Sequence, residues 1–510
     1  MHFAFLTNPA SGQVNVHFAT AQQLLSQGHR ITFLSAESCG SKVSRFRDCQ
    51  TPSLQTLVQF ISLGSAQIIE DYTKLAQVEL STMQGTPGSI RSLVTGINGA
   101  FGPSEVYAAI VIKVSKTLEE LDPDMICVDC FSSPYIHGTR LTQRKYMVFV
   151  PCSPGLTASR GSFIPHPIAG NRKRSWGTLA ENVVLRAHEF LHSRTDAKRL
   201  AKHRLLLKGL KLKSFGYSED TWILPPYWKD PNCVAGVHFN TLGLADCPEQ
   251  PSKLAFVGAG LCPDMSPISS EPDEDVAWMD EALSRDEHVV YMNMGSMFIW
   301  REEDFWNCMK AFQNLSNNQH GRVRFLVKIN SPIAAVKDAS LNFHINQADL
   351  PSCVRLTHWV NDQVAIYSHP ALRVFIHHGG GNSFNEAVHF GLPQLVLSQW
   401  FDTHEYGFCA EKFGLGFRSR RPPRIERADV EAKLRRMLGN QWPVYKENCM
   451  AWAVRSRIGG GAVAAAQMVA AHAEQSEKSA SYQSSRKSSL CYLKEDRVME
   501  KVQVKHSSSF

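Results

Sequence analysis

Residues 373–388 read RVFIHHGGGNSFNEAV, and this stretch decides the fold. Arg373–His377 is apolar enough for a buried strand, Gly379–Gly381 follow, and Asn382-Ser383 open a helical pattern. A strand that enters a helix through glycines is half of a parallel α/β unit. It is also a place for an anion, because glycine lets the backbone approach closely and free N–H groups at the helix start point at the ligand. On this reading Gly380 gives the close approach, and His378 and Ser383 donate to phosphate oxygens. Glu386, one turn further on, accepts from ribose hydroxyls.

The same grammar runs outward in both directions. HFAFLT (2–7), a helical pattern from about Val14 to Ser26, Gly28 and RITFLS (30–35) make a βαβ unit near the start. MICVD (125–129) and YMVFV (146–150) read as further buried strands of that half. VVYMNM (289–294), RFLVKI (324–329), Val354–Leu356 and Gln394–Ser398 do the same around the quoted stretch. A 510-residue chain exceeds one ordinary domain. The expected division is 1–255, with a basic helical insert at about 175–215, then a linker at 256–275 rich in Pro, Ser and acid. A second α/β domain follows at 276–474, and a Ser/Lys-rich tail at 475–510 is expected to be disordered.

Composition limits the function classes. The net charge of +7 is concentrated near 194–213 and in the tail, so no nucleic-acid partner is implied. Thirteen scattered cysteines form no regular framework, and the lone Cys127/Cys130 pair lacks a second pair for zinc. No signal peptide and no run of ~18 apolar residues is evident, so a cytoplasmic chain is expected. The helix at 194–213 interleaves leucine with Lys and Arg, so peripheral membrane contact competes there with a solvated basic face.

The wider segment resembles the nucleotide-sugar signature of the UDP-glycosyltransferases. WVNDQVAIYSHPAL (359–372) looks like the family's Trp-x-Pro-Gln…His-Pro opening, and HGGGNSFNEAVHFGLPQLVLSQWFD (378–402) continues it at an essentially fixed pitch. The resemblance implies a GT-B fold, two Rossmann-like domains facing across a cleft. It also implies a UDP-sugar co-substrate, with no metal and no cofactor. Trp359 would stack on uracil, His378, Ser383 and Asn382 would hold the pyrophosphate, Glu386 the ribose, and Asp402 the sugar hydroxyls. Gly295-Ser296 matches the strand-Gly-Ser turn near the phosphates, and Gly12 faces the donor. Three departures stand out: Gln363 takes the place of the glutamine in an opening that lacks its proline, Gly381 stands where plant members have Trp, and Thr403 replaces a glutamine.

Residues 12–29, GQVNVHFATAQQLLSQGH, look like the family's Gly-His-x-Asn-Pro…Arg-Gly-His segment. That histidine is the family's general base, oriented by a carboxylate whose position matches Asp129. Here the position carries Gln13, which takes no proton. His17 with Asp129 is the expected pair, and a histidine packed on the inner helix face is the competing reading. Asp129 without a histidine, an acidic acceptor, or donor binding without turnover are the other arrangements.

The expected activity is inverting transfer of a hexose, with glucose favoured, to a hydroxyl of a hydrophobic secondary metabolite. Phe163, Ile164, Trp176, Trp222 and Trp228 are candidates for the acceptor pocket. A sterol or lipid acceptor is the alternative. A sugar-nucleotide epimerase or a non-catalytic UDP-sugar-binding protein are the readings from other classes.

Overall fold

The computed structural model describes residues 1–65, 104–154, 197–212, 227–244, 253–263, 265, 273–296, 298–318, 322–329, 345, 347–360, 362–399 and 401–483. Phe163, Ile164, Trp176 and Trp222 lie outside them, as do most of the expected insert and tail.

Two parallel sheets organise the chain. The first takes β1 (His2–Leu6), β2 (Arg30–Ser35), β3 (Val58–Ser62), β4 (Met125–Asp129), β5 (Tyr146–Val150), β6 (Cys233–His238) and β7 (Leu254–Phe256), in the order β3-β2-β1-β4-β5-β6-β7. The second takes β8 (His288–Asn293), β9 (Val323–Lys328), β10 (Val354–Thr357), β11 (Leu372–His377), β12 (Gln394–Val396) and β13 (Gly416–Arg418), in the order β10-β9-β8-β11-β12-β13. Strands such as FAFL and YMVFV are buried on both faces, as helices covering both sides of a parallel sheet require. Each sheet reverses direction of growth beside its first strand, the switch point where α/β folds bind ligands.

The helices that matter for the site are α1 (Ser11–Ser26), α2 (Gly40–Asp48), α3 (Gln363–Ser368), α4 (Gly381–His389), α5 (Phe401–Lys412), α6 (Trp442–Ile458) and α7 (Gly461–Gln483). α1 begins at Ser11, three residues before the expected Val14, because the Asn8-Pro9 turn has already released the chain into helix. It ends in a Schellman motif: Gly28 N–H reaches Leu25 O at 2.8 Å, His29 N–H reaches Leu24 O at 3.2 Å, and Gly28 has φ +81°.

The last helix departs from the expected domain plan. Gly459 and Gly461 pass so close to the Val257 and Ala259 carbonyls that a side chain at either would collide with them. The chain then returns to the first domain, where Ala465, Ala466, Val469 and Ala473 join the core of Phe3, Phe5, Val14 and Phe18. The alanine-rich run therefore completes the N-terminal core, and its helix continues to Gln483 rather than ending at 474. In the basic helix, Leu206, Leu207, Leu210 and Leu212 pack against Tyr107, Ala108 and Val111. Only Leu205 among its described leucines is exposed, so the apolar stripe is engaged by protein. No described helix is long and apolar enough to cross a membrane.

Candidate functional site

β11 delivers His377 and His378 to the mouth of α4, and Gly379 (φ +88°) turns the chain. His377 Nδ1 accepts from Gly379 N–H at 3.0 Å, so its Nε2–H donates to Gln394 Oε1 at 2.9 Å. Burial holds its pKa down at about 4. His378 is buried too, and burial plus the neighbouring His377 bring it to about 3. It is therefore a neutral imidazole rather than a cation, able to donate one hydrogen bond. Gly295 and Gly380 flank its ring, and a Cβ at either would lie 2.6 or 2.7 Å from ring atoms. These two glycines let the imidazole lie flat between the β8 turn and the helix start. The β8 turn is set by Asn293 Oδ1, which accepts from Gly295 N–H at 3.0 Å, and it leaves Ser296 exposed.

The two domains meet directly at this helix. Asn382 Nδ2 donates to Gly12 O at 3.2 Å, which links the N-termini of α4 and α1. Gly381 lies against the Pro151 carbonyl, and a Cβ there would overlap it. The tryptophan of plant relatives has no room at this position. Behind it, Asn240 Oδ1 accepts from Tyr406 OH at 2.6 Å and from Asn385 Nδ2 at 3.0 Å, while Asn385 Oδ1 accepts from Thr241 N–H at 3.1 Å. Every partner in this cross-domain network is buried. Asp402, in the first turn of α5, accepts from Ser153 N–H at 3.4 Å, and burial raises its pKa to about 6. Thr403 is buried, with its carbonyl against Gly379, so it shapes the glycine turn rather than facing the cleft.

Glu386 sits one turn into α4. Its Oε2 accepts from Gln363 Nε2 and Tyr367 OH, both at 3.1 Å, and burial raises its pKa. Gln363 Oε1 accepts in turn from Asn293 Nδ2 at 3.3 Å. The glutamine at the altered opening thus still reaches the carboxylate. Trp359 is 57% exposed, as a stacking platform needs to be. The Arg45 guanidinium of α2 lies 5.2 Å from the ring centroid, and the Lys328 ammonium at the end of β9 lies 5.0 Å from it.

The expected catalytic pair divides. His17 has no exposed surface and packs on Phe149 (5.0 Å) and Phe5 (6.0 Å). Its Nδ1 donates to Gln13 O at 3.1 Å, and burial lowers its pKa to about 4. The early start of α1 causes this: Gln13 occupies the first turn at the cleft, and a residue four further on is one turn deeper. His17 is a core histidine in this arrangement. Asp129, at the carboxyl end of β4, is equally buried, and each of the two keeps one side-chain atom, His17 Nε2 and Asp129 Oδ2, without a hydrogen-bond partner among the described residues; the two differ in position and in the direction of the pKa shift. Oδ1 of Asp129 accepts from Phe131 N–H at 2.8 Å, whereas Oδ2 is buried with no hydrogen-bond partner among the described residues, and burial raises the pKa to about 7. Of the Cys127/Cys130 pair, Cys130 approaches Cys152 instead, with sulfurs 3.9 Å apart. No metal-ligating cluster occurs among the described residues.

Lys328, Arg45 and Tyr367, which sequence reading did not name, touch the candidate site residues Trp359, Gln363 and Glu386. Only Lys328 carried a signal, a lone charge at the carboxyl end of the apolar strand RFLVKI.

Two parallel α/β domains that meet at a glycine-led helix N-terminus, with a neutral histidine at the junction, make a GT-B fold. Residues 327–456 match the family model for the C-terminal domain of erythromycin biosynthesis protein CIII-like proteins. Erythritol-mannosyl-transferase 1 of Pseudozyma antarctica and of Mycosarcoma maydis are each 37% identical, over 93% of this chain and 91% of theirs. A putative UDP-glucuronosyltransferase of Caenorhabditis briggsae is 38% identical over 19% of the chain. Among solved structures, the glycosyltransferase of kitacinnamycin covers 92% of this chain and 98% of its own, at 14% identity and TM-score 0.64. The calicheamicin glycosyltransferase CalG4 gives TM-score 0.56 at 17% identity, covering 93% and 98%. The chain belongs to the UDP-glycosyltransferase superfamily and is a glycosyltransferase.

Proposed function

We propose that the chain transfers a mannosyl group from a nucleoside-diphosphate sugar to a hydroxyl of a small polyol such as erythritol, with inversion. The observation that carries this is full-length similarity to two fungal erythritol-mannosyl-transferases, which outweighs the expectation of glucose and a hydrophobic metabolite. In the reaction the polyol oxygen attacks the anomeric carbon as the bond to the pyrophosphate breaks. The free N–H groups of α4, with His378 and Ser383, take up the charge on the leaving phosphate. Asp402 orients the sugar hydroxyls, Trp359 stacks the base and Glu386 holds the ribose.

A polyol hydroxyl is too weak an acid to attack without losing its proton. Asp129 is the group that takes it. Like His17 it has no exposed surface, so the acceptor must open a path to it. It lies, however, at the carboxyl end of β4, its Oδ2 has no partner among the described residues, and a pKa of about 7 makes it a stronger base than an ordinary carboxylate and than His17 at about 4. Gln13, at the cleft, positions the acceptor. The test is a matrix of UDP-glucose, UDP-galactose and GDP-mannose against erythritol, longer polyols, phenols and a sterol, with products read by mass spectrometry. A mannosyl polyol is expected. Glycosylation confined to phenols or sterols would remove the polyol reading, and an altered free sugar would favour an epimerase.

A further inference from the structure

Lys328 has no part in the chemistry above, yet burial disfavours its charge. It is 9% exposed, and its ammonium makes no hydrogen bond or ion pair with any described residue. The two carboxylates that influence it are engaged elsewhere: Glu386 by Gln363 and Tyr367, and Asp275 by Arg355 Nε at 2.7 Å. The Trp359 ring offsets part of the cost of this nearly buried cation, but its three N–H donors find no hydrogen-bond acceptor among the described residues, and a ligand can supply one. What lies beside it is the nucleobase platform. Register pairs Lys328 with Thr357, Thr357 Oγ1 donates to Trp359 O at 2.9 Å, and Ile329 N–H reaches Thr357 O at 2.9 Å. These bonds hold the Trp359 backbone at the end of β9, and the Lys328 ammonium lies over its indole, 5.0 Å from the centroid. A flat base set on Trp359 takes over the face that the ammonium covers, and the flexible lysine side chain is long enough to swing Nζ to the edge of that base.

Resting on the reading of this cleft as a nucleotide-sugar site, we infer that Lys328 is a specificity-determining residue that donates to a keto oxygen on the edge of the nucleobase. An ammonium is a donor only. It matches the keto oxygens of uracil or guanine, whereas at the corresponding position adenine carries an amino group, so two donors face each other there and the ammonium must shift to N1 or N7. Selection between bases thus comes from an unpaired donor penalty rather than from stacking, which every base satisfies.

The experiment is calorimetric titration of UDP, GDP and ADP onto the full chain and its Lys328→Met variant, with thermal unfolding of both. The wild type should bind UDP or GDP at least about 10-fold more tightly than ADP, and Lys328→Met should shrink that ratio to within about 3-fold while leaving ADP affinity unchanged. The variant should unfold no earlier, because burial disfavours the charge it removes. Equal weakening of all three nucleotides would assign Lys328 to the phosphates and overturn the inference. So would a ratio that persists in the variant. Failure of the wild type to bind any of the three would overturn the donor site itself along with it.

Discussion

Replacing Asp129 by Asn separates function from stability. Burial raises the Asp129 pKa from 3.8 to about 7. At about 1.4 kcal/mol per pH unit, this corresponds to roughly 4 kcal/mol. The sign follows from which state holds the proton. Between pH 3.8 and about 7 the folded chain retains a proton that the unfolded chain has released. Stability therefore falls as pH rises through that window, and above it the full cost applies. Asparagine is nearly isosteric, keeps the acceptor for Phe131 N–H, and carries no charge to desolvate. In urea unfolding, Asp129→Asn should be more stable than the wild type at pH 8, by up to roughly 4 kcal/mol, and nearly equal to it at pH 4. Turnover should drop by about 10²–10⁴-fold, the usual contribution of a general base. A variant no more stable at pH 8 than at pH 4, relative to wild type, would refute the raised carboxyl. Retained turnover would refute its role as base.

Other consequences can be checked alongside. The kcat/KM of the wild type should rise with pH along a limb near 7, because the ionised form of Asp129 is the active one, and a flat profile would count against it. His17→Phe should keep kcat within about 3-fold, since His17 packs between aromatic rings with no exposed surface; a loss of about 100-fold would restore it as the base. Trp359→Ala should leave the melting temperature unchanged, given its exposure, but weaken nucleotide binding by about 10- to 100-fold. Gly381→Ala should cost about 1–3 kcal/mol and lower kcat, because its methyl meets the Pro151 carbonyl across the domain junction. A variant with wild-type unfolding and turnover would show that this junction gives way easily.

The fold, and the gathering of the donor-segment residues around one helix start, were legible in sequence because both rest on local chemistry. A strand, three glycines and a helix start within sixteen residues leave little freedom, and the spacing from Trp359 to Asp402 fixes which side chains converge. What sequence hid was set by contacts between distant segments. The start of α1 differs by only three residues from the expected one, yet that shift turns His17 inward to Phe149. The alanine-rich run near 465 carries no mark that it belongs to the first core, because the return is made by Gly459 and Gly461 passing two loop carbonyls. Lys328 and Arg45 gain meaning only when the sheet ends and α2 are brought beside Trp359. Glucose was favoured from the general resemblance, and no residue pattern in the donor segment distinguishes it from mannose.

The most direct test of single-displacement transfer at the strand–glycine–helix junction is the anomeric configuration of the product by proton NMR. Starting from an α-configured nucleotide-mannose and erythritol, the expected product is the β-mannoside, formed by wild type and suppressed in Asp129→Asn. An α-mannoside, or equal product from both proteins, would contradict it.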